Sequence, residues 1–117
     1  MSSNYLVEKI GRITAVRFTL TASSHDLLDA ANDVAQLENN TLRLWDLRKG
    51  VSVSTADIFV IARRMKEIGF PSSKIAVLVT DKLSYGLARM FDVHREQDNQ
   101  KYNVFEREQE AVKWLLE

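Results

Sequence analysis

The hydrophobic pattern divides the chain into short runs with two different periods. Tyr5–Ile10 and Ile13–Leu20 are rich in β-branched and aromatic residues and are separated only by Gly11-Arg12. A two-residue Gly-X link between two such runs predicts a type II′ hairpin. In the second run Val16, Phe18 and Leu20 share one side, opposite Arg17 and Thr19, as expected of a half-buried strand. The period then changes. Leu27, Ala31, Val34 and Ala35 recur at helical spacing, with Asp29, Asn32, Asp33 and Gln36 on the wet side. Ser23 with Asp26 three residues on forms an approximate capping box for this helix, and Asn39-Asn40 ends it.

The same alternation of periods continues to the end of the chain. Thr41–Leu47 reads as a strand and Arg48–Val53 as a loop. Ser54 or Thr55 then caps a helix through Ile68, with Gly69 as its stop and Pro71 preventing restart. Within Lys74–Thr80, Ile75–Val79 is a continuous apolar run of strand length, which fits a central parallel strand covered on both faces. Lys82–Asp92 is a shorter helix, His94–Gln100 a polar loop and Tyr102–Phe105 a short strand. Glu106–Leu116 is a closing helix with Ala111, Trp114 and Leu115 inward. The order ββαβαβαβα predicts one small α/β domain over residues 1–117. Its sheet is mixed and mostly parallel, with an antiparallel edge and helices packed against it.

Composition narrows the function classes. With 45% hydrophobic and 27% charged residues the chain is ordinary globular material rather than a disordered tail. Sixteen Lys and Arg balance sixteen Asp and Glu, which argues against a nucleic-acid binder. Without cysteine there is no thiolate nucleophile, disulfide frame or Cys-based metal site. The first residues lack the basic and apolar regions of a secretion signal, and no apolar run reaches the ~20 residues that span a bilayer. The expectation is a cytoplasmic protein without stable membrane insertion.

Several segments together resemble the STAS domain of anti-sigma-factor antagonists, and more narrowly the SpoIIAA-like (STAS/SEC14-type) family. They are Leu44-Trp45-Asp46-Leu47-Arg48, Ile75–Val79, Tyr85–Phe91, and Val104-Phe105 with Ala111–Leu115. The resemblance covers most of the chain from Thr41 onward and implies a fold of this order with a non-catalytic, protein-interaction role. In anti-sigma antagonists a phosphorylatable serine follows the strand-end Asp in a Ser-Ser-Gly-Leu-Gly run. Here Asp46 is followed by a longer loop and then by Ser52, Ser54 and Thr55, and that run is absent.

The candidate site residues gather where strands would end. Asp46 and Asp81 are both strand-end carboxylates, expected near the starts of the second and third helices, where open parallel sheets collect ligands. They would support a cation or a phosphoryl group there, or else cap turns. Ser52, Ser54 and Thr55 are either helix caps or modifiable hydroxyls. On the second helix Ile58, Ile61, Ala62, Met65 and Ile68 make a core stripe. Phe59 and Val60 widen it beyond one face, as a fold contact or a docking surface would. Tyr85-Gly86, with Arg89 adjacent, offers room for a partner's backbone or a tight helix contact. Leu87, Met90 and Phe91 read as core, and Arg63-Arg64-Met65-Lys66 as a solvated face. His25 and His94 have no ligand spacing, and the scattered glycines form no phosphate loop.

The expected role is therefore a module that binds a protein partner, one form of which is a homodimer. Its expected surface runs over residues 46–60 with Tyr85 and Arg89 beside it, and it has no catalytic residue, metal or cofactor. The alternatives are a small carrier of an apolar, lipid-like ligand and, behind it, an Asp46/Asp81-dependent hydrolase or phosphotransferase.

Overall fold

The structure, a computed structural model, describes residues 4–37, 41–68, 73–95 and 100–117. Its elements are β1 (Tyr5–Ile10), β2 (Ile13–Phe18), β3 (Ala22–Ser23), α1 (Ser24–Ala35), β4 (Leu42–Asp46) and β5 (Val51–Ser52). They continue with α2 (Thr55–Ile68), β6 (Ser73–Leu78), α3 (Lys82–Arg95), β7 (Gln100–Phe105) and α4 (Glu108–Leu116). A five-stranded sheet has the order β1-β2-β4-β6-β7, and β3 pairs with β5 in a second, two-stranded sheet. Among the described residues only β1–β2 is antiparallel, and the other pairings are parallel. This is a mixed, mostly parallel sheet with four helices among the described residues.

The hairpin turns at Gly11, whose φ of +58° is the left-handed conformation a tight two-residue link needs. Ile75–Leu78 lies inside β6, which is flanked by parallel β4 and β7, so the apolar run is an interior strand. Both faces of the sheet are dry here. Val16, Phe18, Trp45 and Ile75 pack under α1 and α2, with Ala88 and Phe91 of α3 against them. Ile13, Ala15, Leu44, Ala76 and Leu78 pack under Ala111 and Leu115 of α4.

The distribution of helices follows from topology. From β2 onward the strands are laid down in one direction across the sheet. Three successive crossovers of one hand therefore place α1, α2 and α3 on a single face. The opposite face would be bare, and α4 closes it.

Several expectations change. β2 is not half-buried: with α4 below it, Ile13, Thr14, Ala15, Val16 and Phe18 are all buried. The strand stops at Phe18, so Leu20 leaves the core face and is 59% exposed. The expected loop after β4 contains β5, whose pairing with β3 ties together the starts of α1 and α2. The third helix runs on to Arg95, the last strand begins at Gln100, and α4 begins at Glu108. Asn39-Asn40, Gly69 and Pro71, expected as helix stops, lie outside the described residues. α1 itself ends at Ala35, with the Gln36 N–H returned to the Asp33 and Val34 carbonyls.

Candidate functional site

β4 and β6 are parallel neighbours, so α2 and α3 do start at a common rim. The loop after β4 touches the start of α3 there: Thr80 Oγ1 donates to the Arg48 carbonyl at 3.0 Å. The two strand-end carboxylates nevertheless point to different faces. Asp46 has the same parity as Leu44, toward α4. Its carboxylate accepts from Arg17 Nη1 at 3.0 Å, and from Arg48 Nη2 at 2.7 Å, Nε at 2.9 Å and backbone N–H at 3.2 Å. Asp81 instead caps α3, accepting from the Ser84 N–H at 2.7 Å and the Ser84 hydroxyl at 2.8 Å. The pair does not form one site. Among the described residues no group of three or more acidic or His side chains is placed to hold a metal.

Asp46 belongs to a charge cluster of which the sequence exposed only one member. Arg17 also reaches Glu108 at 2.6 Å and Glu8 at 2.5 Å, and Arg48 reaches Glu108 at 3.3 Å. Burial pushes the Asp46 carboxyl up, but the hydrogen bonds and charge of Arg48, with Arg17, outweigh it and hold the group below the usual carboxylate range. Glu108 is held low by Arg17, whose own pKa is raised by its hydrogen bonds to Glu108 and Glu8. Asp46 and Glu108 are thus held in the charged form near neutral pH. The available signal in the sequence was Arg17, a charge inside a strand otherwise apolar on that side. Its link to Glu108, ninety-one residues away, had none.

The hydroxyls divide by role. Ser54 caps α2: the Asp57 N–H donates to Ser54 Oγ at 3.1 Å, and the Ser54 N–H donates to Asp57 Oδ2 at 2.9 Å. Ser52 lies exposed in β5, and Thr55 is exposed at the first turn of α2. The Asp57 carboxyl is lowered by its backbone hydrogen bond at Ser54, and Asp81 by its bond at Ser84.

On α2 the expected stripe is buried at Ile58, Ile61, Ala62 and Met65, while Phe59 is 54% and Val60 49% exposed. On α3, which packs against α2, Leu83 is 69% and Tyr85 43% exposed. Arg63, Arg64, Lys66, Lys82 and Arg89 are exposed on the same two helices. Gly86 is exposed too, and a side chain there would meet nothing within 4 Å, so no tight helix contact requires it. Leu87 is buried, and Met90 and Phe91 are half-buried. His25 pairs with Asp29 at 3.1 Å, and the His94 side chain lies outside the described residues.

Between the sheet and α2/α3 there is a cavity of about 80 Å³. Its walls include Trp45, Ile61, Met65 and Phe91, with Arg43 and Ser84 as polar members. It is roughly half the ~150 Å³ cavity known to hold benzene, and far below a lipid site. No described helix is long and apolar enough to cross a membrane. No protein-family model, curated protein or solved structure matches the chain.

Proposed function

We propose that this chain is a non-catalytic protein-interaction module of the STAS or SpoIIAA-like type, docking its partner on the outer surface of α2 and α3. The observation that carries this reading is the exposure of Phe59, Val60, Leu83 and Tyr85 on two packed helices that start at one rim. Aromatic and large aliphatic side chains in a polar surround supply the anchors of such contacts. Arg63 and Lys82, exposed on the same two helices, favour a partner whose apolar segment carries acidic side chains.

The test uses the full chain with a photo-cross-linking residue in place of the exposed Val60, applied in the native cell and read by mass spectrometry. The captured segment should be acidic and apolar. Phe59→Asp should abolish capture and Arg63→Glu should weaken it, both without loss of the folded circular-dichroism spectrum. Unchanged capture by Phe59→Asp, or binding to anionic vesicles in place of protein, would overturn the reading. The same spectra report phosphorylation at Ser52, Ser54 or Thr55, the hydroxyls through which such a contact would be regulated.

A second reading, a carrier of a small apolar ligand, rests on the cavity beside Arg43. At about 80 Å³ it would take only a molecule of a few heavy atoms. Native mass spectrometry of the purified protein without a bound small molecule would remove this reading.

A further inference from the structure

The two edges of the main sheet are finished differently. At β7, Tyr102, Val104 and Phe105 are half-buried, and α3 and α4 both pack against the strand. At β1, the residues from Leu6 to Lys9 are exposed, Leu6 at 60% and Val7 at 37%. Among the described residues no strand pairs with the outer side of β1.

The hydrogen-bond phase of that edge can be read from one contact. The Asn4 carbonyl accepts from the Thr19 N–H at 2.9 Å, which makes Asn4 and Thr19 a hydrogen-bonded pair. Alternation along an antiparallel ladder then turns the backbone groups of Leu6, Glu8 and Ile10 toward β2, and those of Tyr5, Val7 and Lys9 outward.

Natural edges are commonly guarded by proline, a bulge, a short strand or charged side chains, Lys above all. β1 contains no proline, and its register with β2 runs unbroken from Tyr5–Phe18 to Ile10–Ile13. Both of its charges turn back onto β2: Glu8 to Arg17 at 2.5 Å, and Lys9 to Thr14 at 2.7 Å. The guard is missing over Tyr5–Val7, where the exposed side chains are apolar on both faces of the sheet.

We propose that β1 is a homodimer edge, pairing antiparallel with β1 of a second copy in a register centred on Leu6. A two-fold axis normal to the sheet pairs residues that face the same way, so the register is centred on a residue. Centred on Leu6, Leu6 meets Leu6 of the second copy on one face, and Tyr5 meets Val7 of the second copy on the other. An aromatic residue opposite a β-branched one is a favourable cross-strand pair. The outward N–H and C=O groups of Tyr5 and Val7 then satisfy those of Val7 and Tyr5 across the axis. Centring on Val7 would set Leu6 against Glu8, and centring on Glu8 would set that carboxylate against its own copy. One short strand on its own covers less than the ~1,200 Å² of a standard stable interface, so the dimer is concentration-dependent rather than obligate. This surface is independent of the α2/α3 surface.

The absence of cysteine makes the test clean. Leu6→Cys should give a disulfide-linked dimer under mild oxidation, because directly opposed Cβ atoms at ~4.5–5.5 Å lie close to disulfide reach. Leu83→Cys, at an equally exposed position elsewhere, is the control for random collision. Sedimentation equilibrium of the cysteine-free chain should show a monomer–dimer equilibrium. Val7→Pro removes an outward N–H without touching the β2 ladder, and Leu6→Lys places like charges on the axis. Each should weaken dimerisation at least ~10-fold, as expected for losing one or two hydrogen bonds or an apolar contact. Phe59→Asp should leave it unchanged. Cross-linking of Leu6→Cys no faster than Leu83→Cys, a chain monomeric to millimolar concentration, or a Leu6→Lys variant that dimerises like the parent would each overturn the proposal.

Discussion

At the scale of single residues, Arg17 is the hub of a charge cluster. It sits in an otherwise buried strand and binds Asp46, Glu108 and Glu8, which lie on three separate elements. Asp46 is itself largely buried, so removing Arg17 leaves a carboxylate that only Arg48 compensates. Arg17→Met should cost about 2 kcal/mol, since hydrogen bonds to charged groups contribute ~1.5–3 kcal/mol. Urea unfolding checks this, and a cost under ~0.5 kcal/mol would place Arg17 among neutral surface changes. A hydroxyl cap at Ser54 or Thr55 was legible before the apolar run, and the structure assigns it to Ser54 through Asp57 three residues on. Arg17–Glu108 was not legible, because nothing local links a strand residue to a helix start ninety-one positions on.

At the scale of elements, the caps and the helix phase carry the argument. Ser54→Ala removes the hydroxyl that receives the Asp57 N–H and should cost about 1 kcal/mol, typical for an N-cap, by thermal or urea unfolding. α4 offers a sharper contrast. Leu115 and Leu116 are adjacent in the sequence, yet Leu115 shares the buried side with Ala111 four residues earlier, and Leu116 is exposed. Leu115→Ala should cost ~2–5 kcal/mol and Leu116→Ala less than ~0.5 kcal/mol. Equal effects would mean that α4 is not the lid of the lower face. Helical spacing predicted Ala111 and Leu115 inward; it could not predict that their insertion buries both faces of β2. The lengths of α3 and β7 were misread for a related reason. Polar residues around position 95 read as loop, and sequence pattern is weakest at element ends.

At the scale of the whole molecule, strand order constrains function. In open α/β sheets a binding crevice opens where the order of strands reverses. Here the order advances without reversal from β2 to β7, so no such crevice is built, and Asp46 and Asp81 part to opposite faces. The charge cluster instead links the hairpin, β4 and α4, and that makes stability pH-dependent. Asp46 and Glu108 both lie below their ordinary values of 3.8 and 4.5. The unfolded chain therefore binds their protons more readily. Their contribution is complete above the ordinary values and is lost as pH falls through them toward the folded ones. Unfolding free energy should stay level above about pH 5, fall steeply below it, and fall less steeply in Arg17→Met. An unchanged acid limb in that variant would detach the cluster from acid stability.

By itself the sequence determined the type of each main element, the hairpin turn, the interior place of Ile75–Leu78 and a hydroxyl cap at the start of α2. These depend on local periodicity and on hydrogen bonds spanning a few residues. Only the tertiary structure decided which face each helix covers and which distant charges meet. A chain with equal numbers of acids and bases came to carry an α1 with three aspartates and no Lys or Arg, while α2 and α3 expose bases around apolar side chains. Net charge and helical period are sums along the chain, whereas a surface is set by crossover direction and strand order, which bring together residues whose separation leaves no local trace.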